Sequence, residues 1–375
     1  MVTDIHRLEI GAPGPFLPPW SNVKKNAQLI DGLGYDSMAF PDHFAGFVPE
    51  SIWTPDFTPL ALLQQSPHTY FELASIMSAC SVVTENCKIL SAVTEPIRRH
   101  PVLLAQTFLT LDHISQGRAI LGIGAGEIEN LEPYGLNYSG QVGKLREALQ
   151  IIKLIWETHE PFDFEGKFWT LRNAVMSLRP AVQDKPPPIW IAAHGPKMLK
   201  LAAEFGDGWI PTLLQPKDYA KRLRTLKSTR EKLGRNGLFT AALWNWCILD
   251  EDDSTRHRLM RTPLAKAFAL LLPASEWKRL GHQHPFGDDF YSLRDYIPMD
   301  YGRNEMLKAI EEVPDAVLEA FYMIGGAEEI ISQLEDYCSA GLEHIILWNT
   351  TGMFDLNKTK GSYGIMKEVL SYVKQ

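Results

Sequence analysis

The chain has 375 residues, 45% of them hydrophobic and 22% charged, with a formal net charge of −8 at neutral pH. That length suits two ordinary domains or one large α/β domain with a sizeable core. The acidic balance argues against a nucleic-acid partner, because no basic excess exists to displace phosphate counterions, while a small anionic ligand needs only a few local donors.

The four cysteines, Cys80, Cys87, Cys247 and Cys338, form no Cys-x-x-Cys pair and read as small core residues. The opening stretch, MVTDIHRLEIGAPG, lacks a basic region followed by an apolar one. No run approaches the ~20 apolar residues of a membrane span, so a cytoplasmic protein with no membrane partner is expected.

In chain order, eight short apolar runs occupy 8–11, 37–40, 88–93, 118–123, 188–193, 209–212, 239–249 and 344–349. They are nearly continuous rather than alternating, the pattern of parallel strands covered on both faces. The second run ends in FPDHF and leads into an insertion at about 45–70, rich in proline and aromatic residues; Trp53, Phe57 and Tyr70 in it predict a packed lid. After the third run, PVLLAQTFLTLDHIS places Pro101 at the first position of a helix. After the fourth, VGKLREALQIIKLIWE puts Val142, Leu145, Leu149, Ile152 and Trp156 on one helical stripe. An insertion at about 160–180, FDFEGKFWTLRNAVM, reads as a hairpin turning at Glu165 and Gly166. A third insertion, about 272–306, is expected to cover the same face as the first. AEEIISQLEDYCSAG then reads as a helix stopped by Gly341, just before the eighth run. Eight strands alternating with helices favour a single (β/α)8 TIM-barrel domain over 1–375, interrupted by these insertions at its C-terminal face.

In such a barrel the strand ends converge, and polar residues there are candidates for chemistry. Asp42 and His43 end the second run, Thr94 and Glu95 the third, Glu127 and Asn130 the fourth, His194 and Gly195 the fifth, and Thr212 the sixth. No Gly-x-Ser-x-Gly elbow and no His-Glu-x-x-His zinc pair is present. GIGAG at 122–126 departs from the dinucleotide fingerprint, which needs glycine where Glu127 stands and belongs to a first βα turn. It reads better as a glycine-rich strand end over which a flat ring can lie, or as a tight turn. Asp42 can also cap a helix. His282 and His284 alone make a poor metal pair, and no metal is expected. His43 and Glu127 are the candidate proton donor and acceptor for one bound substrate.

FPDHF, SAVTEPIRRHP, GRAILGIGAGE and IWIAAHGPKMLKLAAEFGDGWIP resemble the bacterial luciferase-like barrel superfamily, and within it the members that use the deazaflavin coenzyme F420. GRAILGIGAGEIENLEPYG and IWIAAHGPKML look most like phthiodiolone-type ketoreductases; LDEDDSTRHRLMRTPLAKAFALLLP is similar to methylenetetrahydromethanopterin reductase.

The resemblance implies hydride transfer between C5 of F420 and an organic substrate, most simply an alcohol/ketone pair. It implies His43 and Glu127 as the catalytic groups. Asp42, Ser91, Ala92, Thr94, Asn130, His194 and Gly195 would contact the cofactor, the 91–94 segment as a bulge that often contains a non-proline cis peptide. His194 and Gly195 would hold the cofactor phosphate at a helix start. Trp53, Phe57 and Thr212 would face the substrate, and the chain would form a homodimer. Two departures stand out. Gln215 takes the place of a substrate-phosphate lysine, which argues against a sugar phosphate. Glu127 stands where methanopterin reductases tend to show aspartate. The alternatives are a methanopterin-type reductase, an FMN-dependent monooxygenase of the same superfamily, and a non-catalytic flavin-binding barrel.

Overall fold

In the computed structural model, whose described residues are 4–182 and 185–375, the eight apolar runs become parallel strands. These are Glu9–Pro13, Ser37–Phe40, Lys88–Ser91, Ala119–Ile123, Ile189–Ile191, Gly208–Trp209, Thr240–Leu249 and His344–Asn349. Each pairs with the next, and the eighth closes on the first through Glu9 opposite His344 and Gly11 opposite Ile346. The result is a closed (β/α)8 barrel.

Burial on two faces explains the continuous apolar runs. Met38, Ile89, Leu121 and Ile345 pack outward against the helical ring. Their neighbours Ala39, Leu90, Ile120 and Ile346 fill the barrel interior. Gly122 is needed by the wall itself, because a Cβ there would lie 1.8 Å from the Ser91 carbonyl oxygen.

The predicted helices form around this ring. Pro101 opens the helix Pro101–Ser115, and the His100 imidazole caps it by accepting from the Val102 N–H. Ala327–Ser339 is followed by Gly341 in the left-handed region, at φ 94°. The 160–180 insertion is a hairpin, Phe162–Glu165 with Thr170–Ala174. Glu147 fastens it to the helix Gln141–Glu157 by accepting the N–H groups of Lys167 and Phe168, each at 2.8 Å.

One strand is not evident in the sequence. The sixth barrel strand is two residues long, whereas the seventh has ten. Where the sixth runs out, Tyr322–Gly325 pairs with Trp246–Leu249 along the upper part of the seventh. Between these lies a helical excursion from Asp253 to Phe321 that roofs one end of the barrel. No helix among the described residues is long and apolar enough to cross a membrane.

The opposite end is closed by the first residues of four strands. Ser37 Oγ lies 2.8 Å from His344 Nε2, and His344 Nδ1 lies 2.7 Å from Glu9 Oε2. Lys88 reaches both Glu9 oxygens at 2.6 Å. Ser37 and His344 are fully buried. Burial alone would raise the Glu9 carboxyl, but the His344 hydrogen bond and charge, helped by Lys88, hold it down at about 2.

Candidate active site

The turn after the second strand is fixed by a buried ion cluster. The Asp42 carboxylate accepts from Thr94 Oγ1 at 2.7 Å and from Arg99, and lies 3.3 Å from the Arg98 guanidinium. Arg98 also donates to the Asp42 carbonyl at 2.6 Å and to Glu95 at 2.7 Å, and Arg99 reaches Glu72 at 2.8 Å. Two guanidiniums on one carboxylate compensate the cost of burying it. The same clamp sets the direction in which the next residue, His43, leaves the chain.

His43 is then oriented by Asn130. The Asn130 Oδ1 accepts the backbone N–H groups of Phe44 at 2.7 Å and Ala45 at 3.2 Å. Those two donors fix which end of the amide is oxygen, so Nδ2 is a donor. Nδ2 lies 2.9 Å from His43 Nδ1, 3.2 Å from Glu127 Oε2 and 3.4 Å from Glu129 Oε1. His43 Nδ1 is therefore an acceptor, and the neutral ring carries its hydrogen on Nε2, the nitrogen left for a ligand. Phe47 and Tyr70 flank the imidazole, with ring centroids 5.0 and 5.6 Å away. His43, Glu127 and Glu129 bring one atom each within 4.8 Å of one another, and the Asn130 amide nitrogen stands among them.

Two adjoining cavities, of about 1180 and 290 Å³, open beside this cluster, and His43 and Glu127 line both. The smaller is walled by Ala92, Val93, Gly124, Ala125 and Gly126, side chains small enough for a flat ring to lie against the backbone. The peptide bond between Ala92 and Val93 is cis. The larger cavity is mainly apolar. Trp244, Trp246 and Trp348 form one wall; Trp246 and Trp348 stack at 5.9 Å, and Trp244 meets Trp348 edge-on at 5.9 Å. Leu271, Leu272 and Tyr296 of the excursion close it from above.

On the far side, the helix Pro196–Phe205 begins at Gly195 with no side-chain cap. Its free N–H groups and the positive end of its dipole face the cavity beside Lys197, Lys200 and Arg222, a setting suited to a phosphate or carboxylate. His194 sits at 3.2 Å from Thr212 Oγ1. Burial, with the Arg222 charge, pushes its imidazole down to about 4, so it is neutral at physiological pH.

His43, Ala92, Glu127, His194, Gly195 and Thr212 thus converge on the larger cavity, and Asp42, Thr94 and Asn130 on the smaller. Ser91 is fully buried in the wall, its Oγ exchanging hydrogen bonds with Gly122 N and O. Trp53 and Phe57 line neither cavity: Trp53 donates to the Gln64 carbonyl at 2.8 Å, and Phe57 packs in the core. From the same insertion, Phe47 and Tyr70 face the cavity instead. Gln215 is likewise occupied, donating to the Ala320 carbonyl at 3.0 Å. His284 is buried, with its Nε2 3.0 Å from the Leu270 carbonyl. Sequence reasoning missed Glu129 and Trp348. The Glu-x-Glu spacing of GEIE held a signal for the first; nothing local marks the second.

The fold and mouth define a (β/α)8 barrel that gathers an imidazole, a carboxylate and a small-residue platform around one apolar chamber. The chain belongs to the luciferase-like monooxygenase family, whose sequence model matches residues 2–344. It is 31% identical over 338 residues to the phthiodiolone/phenolphthiodiolone dimycocerosates ketoreductase of Mycobacterium tuberculosis, covering 89% of this chain and 88% of that one. Identity to the 5,10-methylenetetrahydromethanopterin reductase of Archaeoglobus fulgidus is 25% over 303 residues, covering 80% and 87%. The fold is shared with an F420-dependent secondary alcohol dehydrogenase solved with an F420-acetone adduct, at TM-score 0.77 and 23% identity over 100% of both chains.

Proposed function

We propose that this chain is an F420-dependent oxidoreductase acting on an alcohol/ketone pair. The deazaflavin, when bound, supplies the hydride-transferring carbon. The observation that carries the reading is the Asn130 lock, which leaves His43 Nε2–H as the donor beside Glu127 at the junction of a small-residue platform and an apolar chamber. The residues fit the cofactor. Ala92, Gly124 and Ala125 give a ring platform, and the uncapped helix start at Gly195, with Lys197 and Arg222, suits its phosphate and acidic tail.

In this reading His43 donates to the substrate oxygen, which favours the ketone as the bound partner, and Glu127 complements it. Asp42 and Thr94 hold the turn against the cofactor; Ser91 supports the Ala92 platform from within the wall. Asn130 sets the imidazole, while His194 and Gly195 face the cofactor and Thr212 the substrate. The tryptophan wall excludes water and admits a bulky apolar ketone. The ketoreductase and methanopterin-reductase relatives support the chemistry. The family resemblance also supports a cytoplasmic homodimer, which sedimentation velocity tests.

Titrating the protein with F420 and with FMN, followed by fluorescence, is the first experiment. Reduced F420 is then offered ketones and methylene-pterins, and oxidised F420 alcohols. Binding of F420 and ketone-dependent oxidation of its reduced form is the expected result. Tight FMN binding with substrate-dependent oxygen uptake would overturn it.

A further inference from the structure

Hydrogens are short in the cluster around Asn130. Its Nδ2 carries two hydrogens and faces three acceptors, His43 Nδ1, Glu127 Oε2 and Glu129 Oε1. Glu129 is 2% exposed, and its Oε2 is buried without a hydrogen-bond partner. With both carboxylates ionised, two like charges would stand within 4.8 Å of each other in a chamber walled by apolar side chains. One further proton removes all of these defects together. It cancels a charge, supplies the missing donor and satisfies the buried oxygen.

We propose that Glu129 stores the proton that ketone reduction consumes, holding it jointly with Glu127 and releasing it to His43. This rests on the reading above. Reduced deazaflavin is the reductant. Hydride adds to the carbonyl carbon, the π pair of the C=O bond moves onto oxygen, and that oxygen takes the Nε2 proton of His43. As Nε2 gives up its proton, Nδ1, 3.7 Å from Glu127 Oε2, takes one from the carboxyl pair, Glu129 replacing what Glu127 gives, while the Asn130 amide donates only to the two carboxylates. After the alcohol leaves, water protonates Nε2 and Nδ1 returns its proton to the pair, so the Nε2–H ring is restored and each turnover takes up one hydride and one proton. Glu129 is a positioning residue that acts through Glu127.

The surroundings favour a stored proton. Burial and the Glu127 charge push the Glu129 carboxyl well above its ordinary range, against the pull of the Arg98 guanidinium. Tyr70, Tyr138 and Tyr296 also face it, each neutral at physiological pH because burial raises its phenol. Tyr291, Arg294 and Asp295 approach on the short helix packed over Ile128–Asn130, and Arg222 faces Tyr291.

Glu129→Gln keeps the shape and removes the ionisable proton. In the holoenzyme, kcat for ketone reduction is expected to fall about 10²-fold with KM and F420 affinity unchanged. In the wild type, kcat falls as pH rises through the raised Glu129 value; the variant loses that limb. Unchanged kcat with the limb intact overturns the proposal. An activity-independent readout is the infrared carbonyl stretch of a protonated carboxyl in the resting protein at neutral pH. It is expected in the wild type and expected to be lost in Glu129→Gln. A wild type without the band, or a folded variant that keeps it unchanged, refutes the store. A band that behaves as expected in a protein that reduces no ketone refutes the function proposed above and leaves the store standing.

Discussion

His43 shows how much one side chain depends on its neighbours. The sequence pointed to it through FPDHF, an ionisable pair after an apolar run. Its working nitrogen was not legible, because Asn130, 87 positions away, decides it. Glu129 was hidden for a related reason. A glutamate in a turn reads as solvated, and only the folded chain takes Glu129 out of water, leaving it 2% exposed. At this scale the expected result is direct. His43→Ala lowers kcat for ketone reduction by about 10²- to 10⁴-fold while F420 affinity, read by fluorescence titration, stays near the wild-type value. A variant that turns over within a few-fold of wild type would remove His43 from the proton path.

Among the elements, the helix Pro196–Phe205 offers a clean experiment at its start. Gly195 has ordinary backbone, φ −79°, and a Cβ there would meet nothing within 4 Å. Gly195→Asp can therefore be accommodated, and its carboxylate can cap the free N–H groups, worth about a few tenths of a kcal/mol over glycine. It also puts a negative charge where an anionic cofactor is proposed to sit. The expected outcome is an equal or higher Tm together with F420 binding weakened roughly tenfold or more, by about 1.4 kcal/mol or above. Gly195→Ala, the neutral control, leaves binding unchanged. Equal binding by the aspartate variant would move the anion site elsewhere. The helix start after Gly195 came with the family resemblance, whereas the helix at Pro101 was readable because proline at the first position is a local rule. Tyr322–Gly325 was not. It exists because the sixth barrel strand ends early and leaves an open edge on the seventh.

For the whole molecule, the barrel has a chemical end and a locking end. The Ser37–His344–Glu9 chain at the locking end has the connectivity of a hydrolase triad, yet Ser37 and His344 have no exposed surface. It ties strands one, two and eight, whose members are up to 335 positions apart, so no local signal announces it. Ser37→Ala leaves a buried imidazole nitrogen unpaired and is expected to cost about 1–3 kcal/mol of stability, read by denaturant unfolding, with kcat unchanged. Glu9 adds a pH dependence of known sign. Its folded value of about 2 lies below its ordinary 4.5, so its contribution is complete above 4.5 and lost as pH falls toward 2. Tm measured downward through that window is expected to drop less steeply in Glu9→Gln, and the difference shrinks in high salt because Glu9 is partly exposed. The chemical end carries a different consequence. The roof over the chamber is stitched into the seventh strand by the backbone ladder Tyr322–Gly325, so it behaves as a buttress and not as a door. Phe47 and Tyr70 form the other aromatic margin of the chamber. Amide hydrogen exchange should find Met323 and Ile324 among the slowest sites in the protein, with faster exchange along 45–70.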